Sequence, residues 1–413
     1  MNVPLVGDYG SGFSKVGFGG SVLPRATFPT VLGTLLHDQN IMDEDGCLCK
    51  GNALASTSSS VPASQKSPLR KENEKAWFIG EETLNKKEQL CLHYPISRAT
   101  VTNWDNMEKV GVASSRMWHH SFYQVLKVAP EQHPLLITEA PLSTIQQKEK
   151  VLQILFEAFR VPALYLANQG VLSLFTSGLI SGTTIECGEG MTYSVPVIDG
   201  YALPHSTFKM EVAGQDLTLY LMKLLEESGN SFVGEAQKDY IQDIKEKYCY
   251  VTLKFDKTKE QFQVTPQTQN CQLPDGQEII IGPERFLCPE ILFQPDLFGE
   301  LPEEQKINSL GIHMQAFQSI NSCTSRLWKT LFENILLAGG TGSCVGLQAR
   351  LQKELGKLVH PNISVKVSNC PFPNCSAWIG GSILSSLSTF KDMWITSNEY
   401  KDFGSSIAGR RTF

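Results

Sequence analysis

Two acid-led glycine turns carry the residues that could do chemistry. The chain reads Asp8-Tyr9-Gly10-Ser11-Gly12 near its start and Glu186-Cys187-Gly188-Glu189-Gly190 near its middle. Both follow apolar, β-branched runs and lead into further strand-like sequence, which predicts tight hairpin turns. Glycine lets a backbone come close to a ligand, and N–H groups in such turns form nests for phosphate oxygens. A third glycine turn, in NILLAGGTGSCVGLQARL from Asn334 to Leu351, again follows an apolar run and is expected to open a helix, whose N-terminus would favour an anion or a nucleotide edge. A single Gly-x-Gly is weak. Two in matching surroundings point to a duplicated unit, with two lobes offering their turns to one ligand.

These turns need elements to position them. Residues 3–33 predict strand, tight turn, strand. Residues 38–75, with STSSSVPASQKSPLRKENEK, are rich in Ser, Pro and charge without periodicity and predict a mobile loop. Residues 103–127 predict a helix with Asn103 as N-cap. Within it, GVASSRM (Gly111 to Met117) is either a helical insertion of about two turns or a bulged loop, since an interior glycine costs about 1 kcal/mol against alanine. His119 and His120 would point about 100° apart on a helix, so packing and hydrogen bonding are expected of them rather than a shared ion. HPLLITEAP predicts a buried strand ending in a turn. TIQQKEKVLQILFEAF predicts a helix with Val151, Leu152, Leu155 and Phe156 inward, and PALYLANQGVLSLFTSG a strand running into a helix.

At 413 residues the chain is too long for one ordinary core, so two large lobes are expected. Its 41% hydrophobic and 19% charged residues are an ordinary globular balance, and a net charge of −6 disfavours direct nucleic-acid binding. No apolar run approaches the roughly 18–20 residues of a membrane span, and MNVPLVGDYG has no secretory pattern. The 11 cysteines lack a framework spacing and read as reduced thiols; neither Cys47/Cys49 nor Cys370/Cys375 has the second half of a zinc site.

Long stretches of the chain resemble actin: DYGSGFSKVGFGG, VTNWDNMEKV, APEQHPLLITEAPL, VPVIDGYALPH, AGQDLTLYLMKLL, IKEKYCYV, LPDGQEIIIGPERFLCPEILFQP, LAGGTG and AWIGGSILSSLSTFKDMWIT. The match covers nearly everything outside 38–75. Divergence at functional positions makes it similar to the actin-related and actin-like proteins, and the ending FGSSIAGRRTF resembles the testis-type (T and M) members. The resemblance implies the actin/Hsp70/hexokinase (ribonuclease H-like) fold: two duplicated α/β lobes, each with a mixed five-stranded sheet, around a nucleotide cleft. The first lobe would span 1–182, the second 183–374, and 375–413 would return to the first. ATP or ADP with Mg or Ca is the implied ligand. The phosphate turns match Asp8, Gly10, Ser11, Gly12, Phe13 and Lys15, and Glu186, Gly188, Glu189, Gly190 and Met191. Asp8 and Glu186 would reach the metal through water, and Gln169 matches the water-positioning glutamine. The adenosine side matches Lys245, Glu246, Gly339, Gly340 and Thr341, and the hinge lies near Gln169 and Asn374.

Several positions depart from the family. Glu186 replaces an aspartate and reaches one bond further, roughly 1.5 Å. Glu189 lengthens the next acid in the same way. Tyr193 replaces the histidine that helps order the hydrolytic water, Tyr9 a small amide, and Arg98 a histidine near the nucleotide. Cys344 and Asn374 replace the tyrosine and lysine that cover adenine, removing a stacking surface. Weak or static ATP binding and impaired hydrolysis are therefore expected, and the longer, polar 38–75 segment predicts poor self-polymerisation. Gly200, Ile383, Leu384, Leu387, Thr389 and Met393 match a cleft between subdomains 1 and 3 that takes amphipathic helices from actin-binding and cytoskeletal proteins. Other actin-related proteins are further candidate partners. The expected role is structural or scaffolding, in the cytoplasm and cytoskeleton, with a nuclear or perinuclear location as the other setting. The competing functions are an active, polymerising ATPase and a subunit of a nuclear chromatin-remodelling complex.

Overall fold

A computed structural model describes residues 2–35, 77–104, 107, 117–230, 235–272, 278–299 and 310–411, the side chains at 235–237 excepted. The expected loop at 38–75 and the insertion at 111–117, apart from Met117, lie outside these residues.

Two mixed sheets repeat one plan. In the first, Leu5–Tyr9, Phe13–Phe18 and Ala26–Pro29 form an antiparallel meander, and Leu135–Glu139 and then Ala163–Asn168 add in parallel on the other side of Leu5–Tyr9. In the second, Gly182–Cys187 and Thr192–Ile198 form the hairpin, and Ile335–Ala338 and Val367–Asn369 add in parallel. The hairpin registers correspond: Asp8 faces Lys15, and Glu186 faces Tyr193. Each sheet has six strands where five were expected. Ile395–Thr396 closes the edge of the first, and Thr192–Ile198 pairs with both Tyr201–Ala202 and Phe208–Met210 in the second. Two- and three-residue strands carry too little periodicity to be read from sequence.

Each parallel run feeds a helix, Gln169–Thr176 in the first half and Ser376–Ser386 in the second. Asn168 starts the former by accepting the Gly170 N–H at 2.9 Å, an N-cap bond. The two helices cross between the sheets, and both are buried on almost every side. Glycine makes the crossing possible. A Cβ on Gly380 would run into the Leu172 carbonyl oxygen, and one on Gly381 would lie 3.0 Å from Leu136 Cδ2. Ser173 donates to Ser376 Oγ at 2.8 Å, and Thr176 Oγ1 to Ser376 O at 2.7 Å. Trp378, fully buried, donates its indole N–H to Val6 O at 3.0 Å, so this helix is fastened to the first sheet.

Two predicted helices end differently from expectation. Ile145–Gln153 is α-helical behind Thr144, but Ile154–Ala158 widens into a π turn that sinks Ile154, Leu155 and Phe156 into the core. Of 103–127, Met117–His119 is α-helical and His120–Leu126 is again π, closed by Lys127 at φ 57°. Asn103 lies outside any described helix. Phe159 meets Trp118 and Phe122 edge-on at 6.3 and 5.4 Å, so the two π turns supply one aromatic cluster. Periodicity of 3.6 cannot announce a π turn, because one extra residue is accommodated by tertiary packing. His119 lies tilted at 45° against the Tyr123 ring, centroids 4.5 Å apart, and His120 Nδ1 bonds Gln124 Oε1 at 2.9 Å.

Gly380→Ala is expected to destabilise the protein by roughly 1–3 kcal/mol, the cost of overpacking a crossing that has only backbone to yield. Gly356→Ala, in the helix Leu347–Leu358 with open space at its Cβ, is expected to stabilise by about 1 kcal/mol. Thermal melts of the two variants check both signs.

Candidate functional site

The carboxyl ends of the central strands in both sheets converge, which is where α/β sheets present groups to ligands. Asp8 and Thr138 lie near the ends of Leu5–Tyr9 and Leu135–Glu139, Gln169 follows Ala163–Asn168, and Glu186 lies near the end of Gly182–Cys187. The two acid-led turns are built alike: the Gly10 N–H donates to Phe13 O at 3.1 Å, and the Gly188 N–H to Met191 O at 3.2 Å. They also meet. A Cβ on Gly190 would lie 2.6 Å from Ser11 Oγ, and one on Gly12 would lie 3.2 Å from Glu189 Cβ. Only turns without side chains at these points can approach so closely.

Asp8 is buried and fully engaged. Its Oδ1 accepts from Thr138 Oγ1 at 2.6 Å and from Gln169 Nε2 at 3.0 Å, and its Oδ2 pairs with Lys15 Nζ at 3.1 Å. Glu186 is different. Its Oε1 is shielded from solvent and has no hydrogen-bond partner among the described residues. Burial pushes its carboxyl up to about 7; the Asp8 charge adds to this, while the Ser173 hydroxyl and the Lys15 ammonium oppose it. An orphaned carboxylate oxygen beside Asp8 and Lys15 fits the water shell of a divalent cation, so the floor suits a cation–polyphosphate group.

Tyr9 does not block the first turn. Its ring lies beneath the hairpin, edge-on to Trp118 at 6.3 Å, and its hydroxyl is buried. Tyr193 is also buried, in an apolar cluster with Val171, Leu174 and Met191, and burial pushes its hydroxyl up to about 12. Phe13 is largely exposed and shares a strand face with Lys15.

The second turn leans on its own lobe. Glu189 Oε2 lies 3.9 Å from Lys245 Nζ, which donates to Gly214 O and Thr218 Oγ1, both at 2.8 Å. Thr341 Oγ1 donates to Gly188 O at 2.9 Å. The glycine run at 339–342 does not open a helix as expected. Thr341–Ser343 is one 3-10 turn, and the helix begins only at Leu347, after Gly346. A Cβ on Gly339, at φ 84°, would collide with Cys187 O, so this run props the second turn from below. Glu246 is exposed and accepts from Gln242 Nε2 at 3.0 Å, outside this network. Cys344 is half-buried, with burial pushing its thiol up to about 12, and Asn374 Oδ1 lies 3.2 Å from where a Gly340 Cβ would be. Among Lys245, the 339–341 turn, Cys344 and Asn374 there is no aromatic face for a base.

Three participants were missed in the sequence. Thr138 carried one signal, a polar residue at the carboxyl end of a predicted buried strand. Ser173 carried none. Asp216 is legible only as an acid in a helix's first turn, yet it receives Arg98 Nη2 at 2.9 Å. Arg98 and Ala99 have φ of 44° and 58°, a left-handed pair that costs non-glycine residues roughly 1–2 kcal/mol each. The Ala99 N–H donates to Ser11 Oγ at 2.9 Å.

At the far end of the crossing helix, Ile383, Leu387, Thr389 and Met393 are exposed, and Leu384 is half-buried against the cluster around Trp378 and Phe390. Gly200, at φ 84°, sits with its Cα over Phe175.

The raised Glu186 carboxyl has a stability consequence. Between the ordinary carboxylate range and about 7 the folded state binds the proton more tightly than the unfolded state. Stability from this group is therefore full at low pH and falls as pH rises through about 7. In metal-free buffer, Glu186→Gln is expected to flatten that fall and to stabilise the protein at pH 8 by on the order of 2 kcal/mol. Melts from about pH 5 to 8 read it.

The family model described as Actin matches residues 2–413. Members of that family generally bind a nucleotide with a divalent metal and are generally cytoskeletal. Among the described residues no helix is long and apolar enough to cross a membrane. With its two mixed sheets, the fold is that of actin, Hsp70 and hexokinase, and the chain belongs to the actin family.

Proposed function

We propose that this chain is an actin-related structural or scaffold protein of the cytoskeleton. Its crevice holds ATP or ADP, with Mg or Ca, weakly or statically, and turns it over slowly or not at all. The observation that carries this reading is the condition of the two positions that would place an attacking water. The Gln169 amide nitrogen is tethered to Asp8 and Thr138, and Tyr193 is sunk in an apolar cluster as a neutral phenol. Hydrolysis of a phosphoanhydride depends on positioning the water, so a tethered glutamine and a phenol in place of the histidine slow turnover without removing the grip.

Asp8 and Glu186 would hold the cation through its waters. Lys15, Ser11 and the N–H groups of the two turns would hold the phosphates, and Lys245 and Thr341 would lie on the nucleoside side. The bound nucleotide would supply a polyphosphate charge shared by both turns. The missing aromatic face weakens binding by about 1–3 kcal/mol if base stacking here resembles that in single-strand binders. The exposed Ile383, Leu387 and Met393 favour a helix-in-groove site for cytoskeletal or actin-related partners. Poor self-polymerisation rests on the composition of 38–75, and a testis or spermatid setting, cytoplasmic or perinuclear, on the C-terminal sequence.

Single-turnover hydrolysis tests the reading. The parent protein is expected to cleave ATP at least about ten-fold more slowly than conventional actin, and Glu186→Asp with Tyr193→His to recover part of that difference. Parent turnover equal to that of conventional actin would refute it. In sedimentation with ATP and magnesium, the protein alone is expected to stay in the supernatant.

A further inference from the structure

The lobes are joined by groups that take no part in gripping a phosphate. At the floor of the crevice, the Arg98–Ala99 turn leaves the first lobe and is fastened to the second. Arg98 Nη1 donates to Glu211 O at 2.7 Å, and Nη2 donates to Asp216 Oδ1 at 2.9 Å. Asp216 is only 5% exposed, and its Oδ2 already accepts the Ala213 N–H at 2.9 Å. The carboxylate therefore cannot swing away without uncapping the helix Gly214–Glu227. Ala99 and Ala140 of the first lobe lie against the apolar cluster of Met191 and Tyr193 in the second. At the rim, Lys87 of the first lobe pairs with Asp239 on the helix Glu235–Tyr248.

Two consecutive left-handed residues are the usual geometry of a two-residue hairpin turn, but arginine and alanine lack glycine's freedom there, so the tip carries some backbone strain. Here the strain is held from both sides, by Ser11 on one and by Asp216 and Glu211 on the other. We propose that Arg98 and the Lys87–Asp239 pair form an interlobe latch. It keeps the crevice shut by direct protein contacts whether or not a nucleotide is present, so opening, and with it ligand entry and release, is set by charged groups that salt weakens. The half-exposed Asp239 makes the rim contact the salt-sensitive one, and the buried Asp216 makes the floor contact the persistent one.

Hydrogen exchange on the full chain, stripped of nucleotide with a chelator and an ATP-degrading enzyme, tests this without requiring that ATP bind. Segments 96–101 and 188–193 report opening, and strand 335–338 reports global integrity. Both opening segments are expected to be protected in the parent and to exchange about ten-fold faster in Arg98→Ala, with 335–338 unchanged. Arg98→Lys should fall between, since an ammonium does not reproduce the planar fork. Raising salt from about 0.05 to about 0.5 M should speed opening in the parent, and Lys87→Ala should lose most of that response. Unchanged protection in Arg98→Ala, or a parent whose opening segments exchange freely, overturns the latch. If Arg98→Ala also loosens 335–338, the salt response decides: Lys87→Ala responding like the parent overturns the proposal, and loss of the response supports it.

Discussion

Two backbone turns from opposite lobes approach closely because each sets a glycine against a side chain of the other. Gly190 lies against Ser11, and Gly12 lies against Glu189. That approach brings two carboxylates and one ammonium into a single shielded volume. The electrostatics of the floor follow from it. Asp8 takes most of the available donors, and Glu186, buried with its Oε1 unpartnered among the described residues, is pushed toward its neutral form. A methyl on Gly190 would lie 2.6 Å from Ser11 Oγ and 3.0 Å from the Arg98 Cα and press the two turns apart, whereas one on Gly12 would meet only the Glu189 side chain.

The crossing of Gln169–Thr176 and Ser376–Ser386 gives this approach its precision. The crossing is close enough that backbone rather than side chain sets the spacing, through Gly380 against Leu172, and it is tied by Ser173, Thr176 and Trp378. Each helix continues from the last parallel strand of its own sheet. The geometry at the turns is therefore inherited from the duplicated plan, and a change at the crossing would be felt in the crevice. Arg98 and Asp216 add a second connection on the other side of the turns, independent of the crossing.

What was legible in the sequence was local. The acid-led turns were readable because a hairpin needs glycine at fixed offsets, and the strand-to-helix unit at 163–176 because a short continuous apolar run gives way to a helical pattern at Asn168. The long matches to actin supplied the architecture. Contacts made across great sequence distance were not legible. Nothing near Asp8 announces Thr138, which is 130 residues away, and nothing near Arg98 announces Asp216. Tyr9 stands where the family has a small amide, and its ring is housed in the first-lobe core beside Trp118, a placement the substitution alone does not announce. The glycines at 339–342 looked like a helix start, but Gly346 delays the helix and leaves the run as a support for Gly188. The π turns at 120–126 and 154–158 reflect aromatic packing that no single-segment pattern encodes.

On the proposed function, in which the two turns share one polyphosphate and no water is well placed for attack, the crevice should retain what it binds unchanged. Chromatography of the nucleotide released by acid from freshly purified protein, after incubation with excess ATP and magnesium and removal of free ligand, examines that directly. Recovery mainly as ATP agrees with a static clamp. Recovery mainly as ADP contradicts the loss of turnover, and recovery of no nucleotide contradicts the shared grip.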